Sequence, residues 1–129
     1  MTLIAGTRPM ISIVDDDLSV RRALSRLVRL AGYAVESFAS AGEFLASAAR
    51  SRTACLVLDI HLEQGGMSGF DLQERLVADG VALPTIFITA HGDARTRERA
   101  SRSGVAGFLS KPFGDKALLD LIQKETCPA

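Results

Sequence analysis

An excess of charge of one sign is missing from this sequence of 129 residues, in which 15 Lys and Arg balance 15 Asp and Glu for a formal net charge of zero. No long run of like charge breaks that balance. This excludes a disordered acidic tail or a polybasic arm, and nothing here asks for nucleic acid directly. Long apolar runs are missing too. No segment approaches the roughly 18 consecutive apolar residues of a membrane span, and the opening "MTLIAGTRPM" lacks the basic start and apolar stretch of a signal peptide. A cytoplasmic protein with no membrane partner is the expectation. Cysteine is scarce: Cys55 in an apolar run and Cys127 near the end match no metal or redox spacing. They read as a buried thiol and a tail thiol, with no disulfide. What is present, 47% apolar and 23% charged residues, suits one globular domain. A chain of this size buries roughly two thirds of the surface it exposes when unfolded.

Two kinds of segment alternate along the chain. Short apolar runs rich in branched residues occur at Met10 to Val14, Tyr33 to Phe38, Ala54 to Asp59, Pro84 to Thr89 and Ala106 to Ser110, and they predict five strands. Between them lies helical spacing. Val20, Leu24, Leu27, Val28 and Ala31 line one face of a first helix that Gly32 stops. Ser40 with Glu43 forms a capping box opening a second helix with Phe44, Leu45 and Ala48 inward; Ser68 with Asp71 opens a third that Gly80 closes. A fourth starts near Asp93, and Leu118, Leu121 and Ile122 form the inner face of a fifth. Strict alternation of strand and helix predicts an α/β domain with a parallel sheet, right-handed crossovers and helices on both faces.

In such a sheet, sites form beyond the carboxyl ends of the strands. Those ends carry Asp15, Asp16 and Asp17 after the first strand, Asp59 on the third, Thr89 on the fourth and Lys111 just past the fifth. Carboxylates held together repel one another unless a cation compensates, and an all-oxygen set suits Mg²⁺. Lysine and threonine are poor ligands for that ion but suit a phosphoryl group, to which they offer an ammonium charge and a hydroxyl. Asp59, following the apolar run Cys55 to Leu58, is then a candidate carboxylate nucleophile, with Lys111 and Thr89 as its catalytic companions.

These residues resemble the receiver domain of bacterial two-component response regulators, the CheY-like family. "IVDDD", "LVLD", "FITAHGD" and "FLSKPF" occur in the family's order, and the likeness runs from Met10 to about Lys124. The resemblance implies a flavodoxin-like (βα)5 fold, a five-stranded parallel sheet in the order 2-1-3-4-5. It divides the chain into an N-terminal extension over 1–9, a receiver over 10–125 and a tail over 126–129. Asp59 would accept a phosphoryl group from a sensor histidine kinase, a phosphotransfer protein or a small acyl phosphate. Mg²⁺ would be held by Asp15, Asp16, Asp59 and the backbone carbonyl of His61. Thr89 and Phe108 would be the switch pair, turning a face of the fourth helix, fifth strand and fifth helix toward a downstream output domain or protein. The resemblance further implies a cis peptide before Pro112 and allows a phosphorylation-dependent dimer, and no direct nucleic-acid contact is expected.

One departure stands out. Gly69 follows Asp59 by ten residues, about two more than the family's usual loop, and the usual proline is missing; Glu63 and Gln64 are the plausible additions. Bland readings accompany the functional ones. Asp15 to Asp17 would serve as helix caps, a role expected of Asp17 alone. His61 and His91 read as loop histidines, and Arg95, Arg97, Arg99 and Arg102 as a solvated face. Two other functions compete with the switch: a degenerate receiver that binds partners without phosphorylation, and a phosphohydrolase with an aspartyl nucleophile. The hydrolase would want an acid two residues after Asp59, where His61 stands, and a substrate cap for which the chain leaves little room.

Overall fold

A computed structural model describes residues 8–62, 66–90 and 92–126. Its elements run β1 (Met10–Val14), α1 (Leu18–Leu30), β2 (Ala34–Phe38), α2 (Ala41–Ala46), a 3-10 turn (Ala49–Ser51), β3 (Thr53–Asp59), α3 (Gly69–Ala78), β4 (Thr85–Thr89), α4 (Ala94–Arg102), β5 (Gly107–Ser110) and α5 (Asp115–Thr126). All strand pairings are parallel, in the order β2-β1-β3-β4-β5. This is the flavodoxin-like arrangement that the sequence implies.

Alternation along the strands builds a core on each face of the sheet. Ile11, Ile13, Cys55, Val57, Ile86 and Ile88 meet Leu24 and Val28 of α1 and Leu118 and Ile122 of α5. Val14, Leu56, Leu58 and Phe87 face the other way, against Phe44 of α2, Leu72 and Leu76 of α3 and Ala100 of α4. Strands β1, β3 and β4 are covered on both sides, which is why their sequences read as continuous apolar runs. Burial pushes the Cys55 thiol up to about 12, aided by the charge of Glu125, in keeping with an inert core cysteine.

Caps explain the boundaries. The Asp17 carboxylate accepts from the amides of Ser19 and Val20 and starts α1; Ser68 and Asp71 form a reciprocal capping box on α3; Asp93 caps α4 through Thr96. Gly32 and Gly80, with φ of 103° and 75°, follow the ends of α1 and α3. At α2 the outcome differs from the sequence reading. Ser40 Oγ accepts from the Glu43 amide, but the Glu43 carboxylate reaches the amide of Ala39 rather than that of Ser40. The helix ends at Ala46, so Ala48 is exposed and Ala49, in the 3-10 turn, takes the inward place. Helix α5 continues through Thr126, which the sequence assigned to the tail. Cys127, His91, Glu63 and Gln64 lie outside the described residues. Among the described residues, no helix is long and apolar enough to cross a membrane.

Candidate functional site

The strand order reverses between β1 and β3, and both strands end in carboxylates at the same edge of the sheet. Asp15 follows β1 directly and is fully buried, its amide tied to the carbonyl of Phe38. Asp16 is half-buried and Asp17 is turned outward as the α1 cap, so three successive acids have three different environments. Asp59 closes β3 and is 5% exposed. One carboxylate oxygen from each of Asp15, Asp16 and Asp59 lies within 4.8 Å of the others.

Lys111 enters this cluster from the far side of the sheet. Its amide donates to the carbonyl of Thr89 at 2.7 Å, and a cis Lys111–Pro112 peptide follows. The ammonium lies 3.0 Å from Asp15 Oδ2 and 3.4 Å from Asp59 Oδ2. The other oxygens are also held: Asp15 Oδ1 accepts from the Asp17 amide at 2.9 Å, and Asp59 Oδ1 accepts from the His61 amide at 3.0 Å. Burial is the main force on Asp59 and pushes its carboxyl up from 3.8 to about 6. The His61 amide opposes that rise, the charge of Asp15 adds to it, and Lys111 opposes it again. For Lys111, burial disfavours the ammonium, but the hydrogen bond and charges of Asp15 and Asp59 outweigh it and leave the pKa above the usual lysine value. The pocket gathers three carboxylates, two of which share the Lys111 ammonium. Its oxygen donors therefore fit a hard divalent cation by chemistry as well as by proximity.

Thr89 is fully buried at the end of β4, one residue past the position paired with Asp59 and opposite Ser110 of β5. Phe108 is half-buried against the α2–α4 side of the core, and the Arg97 guanidinium lies 5.2 Å above its ring centroid. Arg97 also donates to the Gly92 carbonyl at 3.2 Å and to Ser110 Oγ at 3.4 Å. Arg99 sits 4.2 Å over the ring of Phe70 and pairs with Glu74 at 3.3 Å. Two of the four arginines expected to face water thus lie on aromatic rings, one on β5 and one on α3, which their long stems reach from α4.

Gly69 marks a close backbone approach beside the acids. A Cβ there would overlap the Asp59 carbonyl oxygen and come within 2.8 Å of Ile60 Cα, so the start of α3 lies directly against the end of β3. The Gly69 amide donates to the Ile60 carbonyl at 2.9 Å. Sequence reasoning brought Asp15, Asp16, Asp59 and Lys111 to one edge, and they meet there. It missed Arg21, whose guanidinium donates to the Asp15 carbonyl at 2.7 Å. Only its place one turn after the Asp17 cap hinted at that contact. The Gly92–Arg97–Ser110 contacts were also missed, for pairing across a loop leaves no periodic trace.

The comparisons agree with this geometry. The family model described as response regulator receiver domain matches residues 11–123. Nodulation protein W of Bradyrhizobium diazoefficiens is 44% identical over 122 residues, covering 95% of this chain and 53% of that protein. Response regulator protein TodT of Pseudomonas putida is 43% identical over 114 residues, covering 88% and 49%. The chain thus spans about half the length of these curated relatives. Among solved structures, response regulator StyR superposes with a TM-score of 0.83 at 45% identity, covering 93% of this chain and 60% of that one. The structure titled FixJ-N gives 0.82 at 33% identity, covering 93% and 94%.

Proposed function

The chain belongs to the response regulator receiver domain family of two-component signalling, and on that premise we propose that it is a phosphorylation-driven switch whose phosphoacceptor is Asp59. The observation that carries this reading is a nearly buried carboxylate at the end of a central strand, facing both Asp15 and the Lys111 ammonium. Nothing in an apolar core rewards burying Asp15 and Asp59 around one lysine; a charged visitor does.

The step is a group transfer. One carboxylate oxygen of Asp59 attacks phosphorus, the bond from phosphorus to the donor's acyl oxygen or imidazole nitrogen breaks, and the donor leaves with that electron pair. An aspartyl phosphate results, and attack by water at phosphorus returns Asp59 and inorganic phosphate. Lys111 neutralises charge gathering on the transferred phosphoryl oxygens, and the Thr89 hydroxyl donates to one of them. The His61 amide fixes the carboxylate plane. Asp15, Asp16, Asp59 and the His61 carbonyl would hold Mg²⁺, which when bound supplies the positive charge that lets a dianionic group approach these acids.

The output follows from packing. When Thr89 turns toward the phosphoryl group, it leaves space that Phe108 fills, and the face formed by α4, β5 and α5 changes shape. A coupling of about 1–3 kcal/mol suffices to alter a partner's affinity several-fold to a hundredfold. The partners are a sensor kinase or phosphotransfer protein upstream and an output domain or protein downstream. The intended unit is residues 10–125, in the cytoplasm.

The test is incubation with acetyl phosphate and Mg²⁺, read by intact mass. One added phosphoryl group is expected, absent from Asp59→Asn and absent after chelation. No uptake by the wild-type chain would sink the switch and leave phosphorylation-independent binding. Turnover of many equivalents of an unrelated phosphate ester would favour the hydrolase.

A further inference from the structure

Two hollows lie between α3 and α4, of about 450 and about 270 Å³, and they share Phe70 and Arg99 as lining residues. Together they form one groove that runs from His61 and Ser68, beside the acidic pocket, down to Val77 and Ala78. Its wall on the α4 side carries Arg95, Arg99 and Arg102, exposed and spaced i, i+4, i+7, so they form a single stripe. Of the three, Arg99 pairs with Glu74 across the groove. Among the described residues, neither Arg95 nor Arg102 has a carboxylate within ion-pairing distance. The apolar component is also unmet. Val77 is 63% exposed, while the other large apolar side chains exposed among the described residues, Leu18 and Leu30, belong to α1 on the opposite face of the sheet.

We propose that this α3–α4 groove docks an acidic amphipathic helix of a partner protein. Ser68 to Ala78 covers about 15 Å at the helical rise, close to three turns of a docked helix. Acids spaced i, i+4, i+7 on that helix meet the arginine stripe at the same pitch, and its adjoining apolar stripe covers Val77 and the edge of Phe70. Nucleic acid fits less well. Glu74 stands on the α3 wall and would repel a continuous phosphate backbone, whereas a helix can turn apolar residues toward α3 and acids toward α4. The groove lies on the α3 side of α4, while the proposed switch face lies on the β5 side, so in the unphosphorylated chain this inference does not depend on Asp59.

The experiment is fluorescence anisotropy with a labelled, staple-constrained peptide carrying Glu at i, i+4, i+7 and Leu along the next stripe, titrated with the full chain. A second peptide replaces each Glu by Lys. Saturable binding of the acidic peptide that weakens with salt is expected, with a loss of roughly tenfold or more in Arg102→Glu and in Val77→Asp. Arg26→Glu on α1, the same charge change elsewhere, should cost less than about twofold. Circular dichroism checks folding, and if Arg102→Glu does not fold, Arg102→Gln carries the same comparison. Equal losses at Arg26 and Arg102, equal binding of the lysine peptide or no saturable binding would each overturn the proposal. So would duplex DNA competing through the same residues, which would assign the groove to nucleic acid. Sedimentation showing a dimer that Arg102→Glu dissolves would overturn it in favour of a second copy. Repeating the titration with Asp59→Asn, which should bind the peptide unchanged, separates this outcome from that of the phosphorylation test.

Discussion

Strands β1 and β3 carry polar side chains toward both ends, and the two sets are held differently. On the amino side, Thr53 donates to the Ala49 carbonyl and lies 2.6 Å from Ser12, whose own proton it can therefore accept. Every group there is neutral, and the chain of bonds closes on the backbone. On the carboxyl side, one oxygen each from Asp15, Asp16 and Asp59 lies within 4.8 Å of the others, and Asp15 and Asp59 share one lysine. Those two acids outnumber the ammonium they share, and burial has raised one of them. The same two strands thus bury one polar group that costs nothing further and one that remains costly until something binds. A satisfied polar cluster serves the fold, and an unbalanced one at a strand end serves a visitor.

The apolar stretch between the two ends sets the scale for breaking this contrast. Leu56→Ala, at a fully buried position, should lose about 2–5 kcal/mol in urea unfolding, through lost transfer energy and the cavity left behind. Asp59→Asn should do the opposite. With Mg²⁺ chelated at pH 7 it should gain about 1–3 kcal/mol, since it removes a charge that burial and Asp15 disfavour. The sign fixes a pH signature. Asp59 titrates at about 6 when folded and near 3.8 in the unfolded chain, so the folded state holds the extra proton between those values. Wild-type stability should fall as pH rises across that window, and the advantage of Asp59→Asn should be absent below it and level above it. A variant less stable than wild type at pH 7 would place both ends of β3 under one rule.

At the amino end the expected sign is reversed. Thr53→Val should cost about 1–2 kcal/mol, because it strands the hydroxyl of Ser12, which is fully buried, and removes a donor from the Ala49 carbonyl. Chemical denaturation with no change in slope would show that the loss lies in the native state. A neutral result would mean that this end is as loosely specified as a surface.

How much of this could be read from the sequence depended on whether the signal was local. Strand positions followed from apolar runs, because β1, β3 and β4 are covered on both faces, and the caps at Asp17, Ser68 and Asp93 were visible as short-range patterns. The convergence of Asp15, Asp59 and Lys111 was legible because parallel strands place all their carboxyl ends at one edge. What escaped depended on contacts across loops. Glu43 looked like half of a reciprocal box, yet its carboxylate reaches one residue further back, and Ala48 lost its inward place when α2 stopped early. Arg97 and Arg99 looked solvated because a charge pattern on a helix says nothing about which ring lies beneath the stem. Ser12 was read only as part of a strand and Thr53 fell just outside the one that it opens, for a hydroxyl at an apolar run shows its partner only once the register is known.

Ser12 provides the finest test of the contrast. Ser12→Ala should cost only about 0.5–1 kcal/mol, because Thr53 keeps its bond to the Ala49 carbonyl and loses merely an incoming donor. The two substitutions should therefore be unequal although they remove the same contact, Thr53→Val costing more than Ser12→Ala. In the double variant Ser12→Ala, Thr53→Val no hydroxyl is left to strand, so the combined loss should fall short of the sum of the single losses by about 0.5–1 kcal/mol. Urea denaturation of the four proteins yields that coupling directly. Additive losses would mean that the hydroxyl pair is incidental to the fold, and the amino end would then owe its stability to packing alone.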